Sequence, residues 1–278
     1  MYLVLYSNKA YEHMVSTFLA SRKYCGGQDY TVVFYTVGYD SDLEFPNLIK
    51  RRWDPVIERQ NFQLYKPHIM LQSLEFETDM IYFDTDILLG SRFDPEYFRH
   101  SNDYPLACAG PIEYVFTWEK DPDGNVTEFT ERLLMDYFGV KDRTTFYLWT
   151  SMLSYNMSCR DFLQEWCSIV DNSYFHRDGK LKMYMPFGDE TPFNVLMWKR
   201  GCTEYLPRHF VNTSSSDTVV SIETEEKLRI GEDFPYGIIH PTPSMYEKCD
   251  DSSLVQFYHG MKDPNELIKT LSWMIQFK

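Results

Sequence analysis

Long apolar runs are missing from this 278-residue chain. Nothing in it approaches the ~20 apolar residues that a membrane-spanning helix needs, so no membrane span is expected. Cysteine pairing is missing too. The six cysteines, at positions 25, 108, 159, 167, 202 and 249, are scattered without a C-x-x-C spacing. That argues against a disulfide framework and fits a reduced, cytoplasmic setting. Positive charge is scarce: 27 Lys and Arg stand against 41 Asp and Glu, a net charge of −14. Repulsion from phosphate backbones disfavours broad nucleic-acid binding. Only Lys50-Arg51-Arg52 forms a short basic run. The first nine residues lack a basic segment, and their apolar stretch is too short for a signal peptide. The N-x-S/T triplets at Asn125, Asn156 and Asn212 are therefore read as chance matches. No internal repeat, low-complexity tract or linker rich in Gly, Ser or Pro divides the chain, so a single domain is expected.

What is present is an ordinary globular balance, 44% apolar and 24% charged, which excludes a disordered or fibrous chain. Aromatics reach 17%, rings that suit cores and sugar- or base-stacking pockets alike. Residues 3–6 read as a buried strand. Residues 11–19 read as a helix with Met14, Val15 and Phe18 on one face, and residues 31–37 as a second strand. Strand, helix, strand in this order implies a parallel βαβ unit. Residues 49–55 are basic and then polar, with no strand assigned. A helix over 67–76 has Pro67 in its first turn, where a missing N–H costs nothing. Residues 80–83 are a third strand, ending abruptly in Asp84-Thr85-Asp86. Further on come a turn at 121–124, a strand at 147–155 and an amphipathic helix at 160–170. The latter turns Phe162, Leu163, Trp166, Cys167 and Val170 inward. A short helix at 192–200, an acidic irregular stretch at 217–233 and a final helix at 269–277 complete the reading.

The acidic doublet is the most informative feature. Open α/β sheets bind ligands at the carboxyl ends of their strands. Two carboxylates there, Asp84 and Asp86, repel one another and call for a cation. Hard divalent ions, Mn²⁺ or Mg²⁺, are the natural partners, and such an ion would neutralise a diphosphate leaving group. The bland alternative is a solvated turn. A haloacid-dehalogenase type phosphatase fits poorly, since Leu88 stands where those proteins carry Thr or Val. Lys66, at a helix start, is electrostatically wrong for the helix dipole and makes sense where an anion binds. Its bland alternative is a solvated lysine.

With these blocks in view, the sequence resembles the GT-A glycosyltransferases. It is most similar to the glycogenin-like family (glycosyltransferase family 8), which also holds bacterial lipooligosaccharide galactosyltransferases. Four blocks in the family's order carry the resemblance. They are the first strand with Ser7, Asn8 and Tyr11; Lys66 with its helix and the DxD motif at 84–86; residues 188–198 with 206–207 and 210–212; and residues 256–262. The resemblance implies a GT-A type, Rossmann-like α/β fold: a mixed, mainly parallel sheet flanked by helices in a single domain. Residues 1–100 would be the nucleotide-binding half and 101–278 the acceptor and sugar half with a C-terminal metal-binding segment. It implies a metal-dependent transferase that moves a sugar from a nucleoside diphosphate sugar, UDP-linked, to a hydroxyl on a glycan, glycoprotein or glycolipid.

By the same resemblance Tyr6, Ser7, Asn8 and Tyr11 line the nucleotide, and Lys66, Asp84, Thr85, Gly260 and Lys262 contact the donor. Asp84, Asp86 and His259 bind Mn²⁺ or Mg²⁺. Residues 258–262 are expected to close over the diphosphate. Asp189 and Glu190 stand where relatives usually have Asp-Gln, and the run from Thr150 to Ser154 matches the usual sugar-contact run only loosely. An inverting enzyme needs a carboxylate base, which Glu190 or Asp189 would supply; a retaining one does not. The outcome stays open on sequence. The bland reading of Asp189-Glu190 is an acidic pair at a helix start before Pro192. Trp149 and Tyr155 are candidates for acceptor contact. Two rival functions remain at this stage: an inactive sugar-binding or scaffold protein of the same fold, and a nucleic-acid base glucosyltransferase.

Overall fold

A computed structural model describes residues 1–21, 30–56, 62–85, 88–89, 98–99, 102–109, 119–120, 126–127, 130–145, 147–175, 189–206, 210–212, 220–224, 227–230 and 238–240. In chain order its elements are β1 (Tyr2–Ser7), α1 (Glu12–Ser21), β2 (Thr31–Val37), β3 (Leu48–Trp53), α2 (Lys66–Ser73), β4 (Met80–Phe83) and β5 (Leu88–Leu89). There follow β6 (Leu106–Ala109), β7 (Glu119–Lys120), β8 (Val126–Thr127), α3 (Thr130–Phe138), β9 (Leu148–Tyr155), α4 (Arg160–Phe175) and α5 (Glu190–Lys199). The last are β10 (Phe210–Asn212), β11 (Val220–Thr224), β12 (Lys227–Ile230) and β13 (Ile238–His240). Contacts group the chain into two compact units. The first comprises Met1–Asp54, Phe83–Phe98 and His209–Lys278, the second Pro55–Tyr82 and Arg99–Arg208. The main sheet has six strands, β3-β2-β1 and β4-β9-β6, and is mixed. Among the described residues no helix is long and apolar enough to cross a membrane.

In the first unit β1 runs parallel to β2, from Tyr2↔Thr31 to Ser7↔Thr36, and β2 runs parallel to β3. A parallel pair cannot be joined by a tight turn, and α1 lies in the crossover between β1 and β2. Leu3, Val4, Leu5, Val32, Val33 and Phe34 are fully buried. Continuous apolar runs of this kind mark parallel strands covered on both faces. Phe18 of α1 packs against Phe83, ring centroids 5.6 Å apart. β3 is a different sort of strand. Its Lys50, Arg51 and Arg52 are exposed, so it exists through backbone pairing with β2 rather than through an apolar pattern. A smaller sheet, β10-β13-β5, pairs β13 in parallel with β10 and antiparallel with β5. β11 and β12 form an antiparallel pair. The stretch expected to be irregular therefore contains two strands, and its alternating Val220, Ile222, Leu228 and Ile230 were masked by the acidic residues between them.

In the second unit β9 is buried along all eight residues and pairs antiparallel with β6. α2 packs on α4, and α4 on α5. Trp166 of α4 meets Phe193 of α5 at 5.0 Å, with Phe162 at 5.5 Å from the same ring. Each such side chain, fully buried, contributes about 1.5–3 kcal/mol. β7 and β8 pair antiparallel; the turn expected at 121–124 lies outside the described residues, as does the helix expected at 269–277.

Candidate active site

The first unit carries the residues expected to meet a nucleotide. β1 ends in buried Tyr6 and Ser7, and the Ser7 hydroxyl donates to the Asn8 carbonyl at 2.8 Å. Asn8 caps the turn that leads into α1: its Oδ1 accepts the Tyr11 backbone N–H at 3.2 Å. That capping holds the Tyr11 ring outside the core, 43% exposed, just past the carboxyl end of β1. Glu12 steadies the same corner, accepting from Lys9 Nζ at 2.6 Å and from the Ser41 hydroxyl. Asp84 and Thr85 follow β4 at its carboxyl end, each half-buried. Asp86, His259, Gly260 and Lys262 lie outside the described residues. Among the described residues no three ligand-type side chains gather into a metal cluster. The donor chemistry of the expected set, two carboxylates and an imidazole, suits Mn²⁺ or Mg²⁺. Asp84, standing only half-buried at a strand end, is compatible with that use.

The second unit holds a denser constellation. α2 begins at Lys66, which is 2% exposed. A charged ammonium taken from water is costly unless paired and hydrogen-bonded. Its Nζ lies 2.7 Å from Asp189 Oδ2, 3.1 Å from the Thr150 carbonyl oxygen and 3.2 Å from Thr150 Oγ1, with the Tyr82 ring centroid at 5.1 Å. The solvated-lysine reading is thus corrected, and the anion that Lys66 called for is supplied by the chain itself. Asp189, also 2% exposed, precedes α5 at the N-cap position, yet its side chain makes no capping bond. It turns instead to Lys66 and to the Thr150 hydroxyl, which donates to Oδ2 at 2.6 Å. Its backbone carbonyl accepts Trp166 Nε1–H at 3.1 Å. Glu190 opens α5, where the helix dipole favours negative charge, and its Oε2 accepts the Thr150 backbone N–H at 3.3 Å.

Within this unit, therefore, Lys66, Asp189 and Glu190 come together as a group, and sequence reasoning missed the residue at its centre, Thr150. One signal existed: Thr150 opens the run that matched the family's sugar-contact segment loosely. Asn194, one helical turn after Glu190, ties α5 to β9. It accepts the Leu148 N–H at 2.7 Å and donates to the Leu148 carbonyl at 2.9 Å. Of the two aromatics expected near an acceptor, Tyr155 is fully buried and its hydroxyl bonds Ser73 Oγ at 2.7 Å, so it belongs to the core. Trp149 is 8% exposed. An open groove lined by Glu77, Thr78, Asp79, Asn156, Met157 and Ser158 lies at the amino end of β4, the end away from Asp84. Asn156 there is committed to local structure, donating to Asp79 Oδ1 and accepting the Ser158 N–H, both at 2.9 Å.

The mixed, helix-flanked sheet is the GT-A glycosyltransferase fold. Two similar solved structures illustrate it. One is the galactosyltransferase LgtC in complex with donor and acceptor sugar analogues; it matches with a TM-score of 0.53 and 15% identity, over 94% of this chain and 95% of that one. The other is an LgtC active-site mutant with glutamate in place of a glutamine, with a TM-score of 0.53 and 14% identity, over 92% and 94% of the two chains. At such identity the likeness is one of fold. No protein-family model matches the chain, and no curated protein matches it.

Proposed function

We propose that this protein is a metal-dependent glycosyltransferase. It moves a sugar from a nucleoside diphosphate sugar, UDP-linked, to a hydroxyl on a glycan, protein or lipid. The observation that carries this reading is the shared fold with a sugar-transferring enzyme over nearly the whole chain. The buried acidic and basic group before α5 adds to it. Cys159, Cys167 and Cys202 take part in no disulfide, which supports a reducing, cytoplasmic compartment.

In this reading Tyr11 offers its exposed ring to the base, beside Tyr6, Ser7 and Asn8. Asp84, Asp86 and His259 hold the ion, Thr85 stands beside it, and Gly260 and Lys262 meet the diphosphate. When bound, the ion offsets the charge that develops on the leaving diphosphate. Asp189 accepts hydrogen bonds from sugar hydroxyls, and Lys66 acts on the donor through Asp189. Glu190 is the more open of the two carboxylates, half-buried against 2% exposure for Asp189. It serves as base if the anomeric configuration inverts, and as a positioning group if it is retained.

The test is sugar transfer and donor hydrolysis with a panel of UDP-sugars, with Mn²⁺ or with EDTA. Turnover in Mn²⁺, its loss in EDTA, and a fall of about 100-fold or more in Asp86→Ala are expected. In parallel, donor plus Mn²⁺ at about 100 times Kd should stabilise the fold by ~2.7 kcal/mol. No turnover and no stabilisation with any nucleotide sugar would overturn the reading.

A further inference from the structure

We infer that Thr150 is a positioning residue that sets the geometry of both site carboxylates, with Lys66 as its fixed partner. The inference rests on the transferase reading above. Thr150 uses every polar group it has on this one cluster. Its hydroxyl donates to Asp189 Oδ2 at 2.6 Å and accepts from Lys66 Nζ at 3.2 Å. Its carbonyl accepts from Lys66 Nζ at 3.1 Å, and its N–H donates to Glu190 Oε2 at 3.3 Å. A hydroxyl has one proton and two lone pairs, so its direction here is fixed by its neighbours: proton toward Asp189, lone pair toward Lys66.

An ammonium has three protons, and three acceptors stand within hydrogen-bond distance of Lys66: Asp189 Oδ2, Thr150 O and Thr150 Oγ1. Lys66 is thereby committed to holding Asp189, not to an external phosphate. The arrangement is also mechanically fixed. Thr150 lies mid-strand in fully buried β9, Lys66 opens α2, and Asp189 and Glu190 stand at the start of α5. Three elements thus meet at one residue, which is 1% exposed. Asp189 Oδ2 is spoken for by Lys66 and Thr150, which leaves Oδ1 as the oxygen to face a sugar hydroxyl. The Thr150 backbone N–H holds Glu190 by Oε2 and so fixes that carboxylate against β9. Loss of the Thr150 hydroxyl therefore tilts the Asp189 carboxylate without removing any charge. Displacements of about 1 Å at a reacting group cost on the order of 100-fold in rate.

The experiment compares Thr150→Val, which keeps shape and loses the hydroxyl, with Thr150→Ser, which keeps the hydroxyl. Donor kcat and KM are measured for each, together with ammonium proton exchange of Lys66 in ¹⁵N-lysine-labelled protein. Thr150→Val is expected to lower kcat about 30-fold or more while donor KM stays within about threefold. Thr150→Ser is expected to recover kcat to within about threefold of the parent. A merely structural role would lower the melting temperature without this split or this rescue. An unchanged kcat in Thr150→Val, or an equal fall in Thr150→Ser, overturns the inference. If the parent turns over no nucleotide sugar, the transferase reading fails by itself, and the exchange measurement decides the geometry. Slow Lys66 ammonium exchange in the parent and in Thr150→Ser, made fast in Thr150→Val, supports the hub; unchanged exchange in Thr150→Val overturns it. Should Thr150→Val not fold, Thr150→Ala against Thr150→Ser makes the same comparison.

Discussion

Lys66 holds a full positive charge out of water, with a carboxylate, a hydroxyl, a carbonyl and an aromatic face around it. Pairs of this kind are asymmetric: keeping both partners is affordable, while removing one leaves an uncompensated buried charge. Lys66→Met is accordingly expected to destabilise the protein by ~3–5 kcal/mol, read by urea denaturation. The double variant Lys66→Met/Asp189→Leu should be distinctly less destabilised than the sum of its single changes. A Lys66→Met protein as stable as the parent would show that the pair contributes nothing. At this scale the sequence was legible as an anomaly only. A lysine opposing a helix dipole signalled that an anion stands nearby, but periodicity and spacing carry no information on which distant carboxylate it is. Asp189 was singled out as a candidate through the family resemblance. Thr150 was not, because a threonine in a strand is ordinary and its value lies wholly in what three separate elements bring to it.

α4 and α5 are joined at the surface by Glu165. It lies 2.5 Å from Lys199 Nζ and 2.7 Å from Arg200 Nη2, and the two cations end α5 where the dipole favours them. Partial burial pushes the Glu165 carboxyl up. The hydrogen bonds and charges of Lys199 and Arg200 outweigh that and hold it below its ordinary value of 4.5. A lowered value means that the stabilisation is complete above the unfolded value and is lost as pH falls from about 4.5 through the folded one. The three side chains are about a third exposed, so the contribution is below ~1 kcal/mol. Glu165→Gln should lower the melting temperature by about 2–4 °C at most at neutral pH. The difference between parent and variant should shrink as acid is added; one that grows instead would contradict the sign. Among elements, those buried on both faces were readable. β1 and β4 are largely apolar runs, and α4 shows its inward stripe. β3 was not readable, because half of its side chains are exposed and basic and the strand is made by the backbone of its neighbour.

At the scale of the molecule, net charge governs long-range encounters. With −14 overall, the short run of Lys50, Arg51 and Arg52 works against the field of the whole chain, and Arg52 is already engaged with Asp40 and Asp54 at 2.8 and 3.0 Å. Fluorescence anisotropy with a short labelled DNA duplex at low salt should therefore show no saturable binding up to about 10 µM protein. Binding that weakens as salt rises would revive a nucleic-acid acceptor. The α/β class was legible because strand, helix and strand alternate from the first residues. The grouping into two compact units was not, since each is assembled from separated stretches and no shift of composition marks where the chain passes from one to the other.

That interleaving bears on how the chain emerges from the ribosome. The second unit ends at Arg208, so all of it is synthesised while the last stretch of the first unit is still unmade. β5 must wait for its partner in the meantime, because Leu88 and Leu89 pair with Ile239 and Ile238 of β13. The unit that holds residues 1–54 is thus completed after the other one, since the β13 partner of its β5 is made only after Arg208.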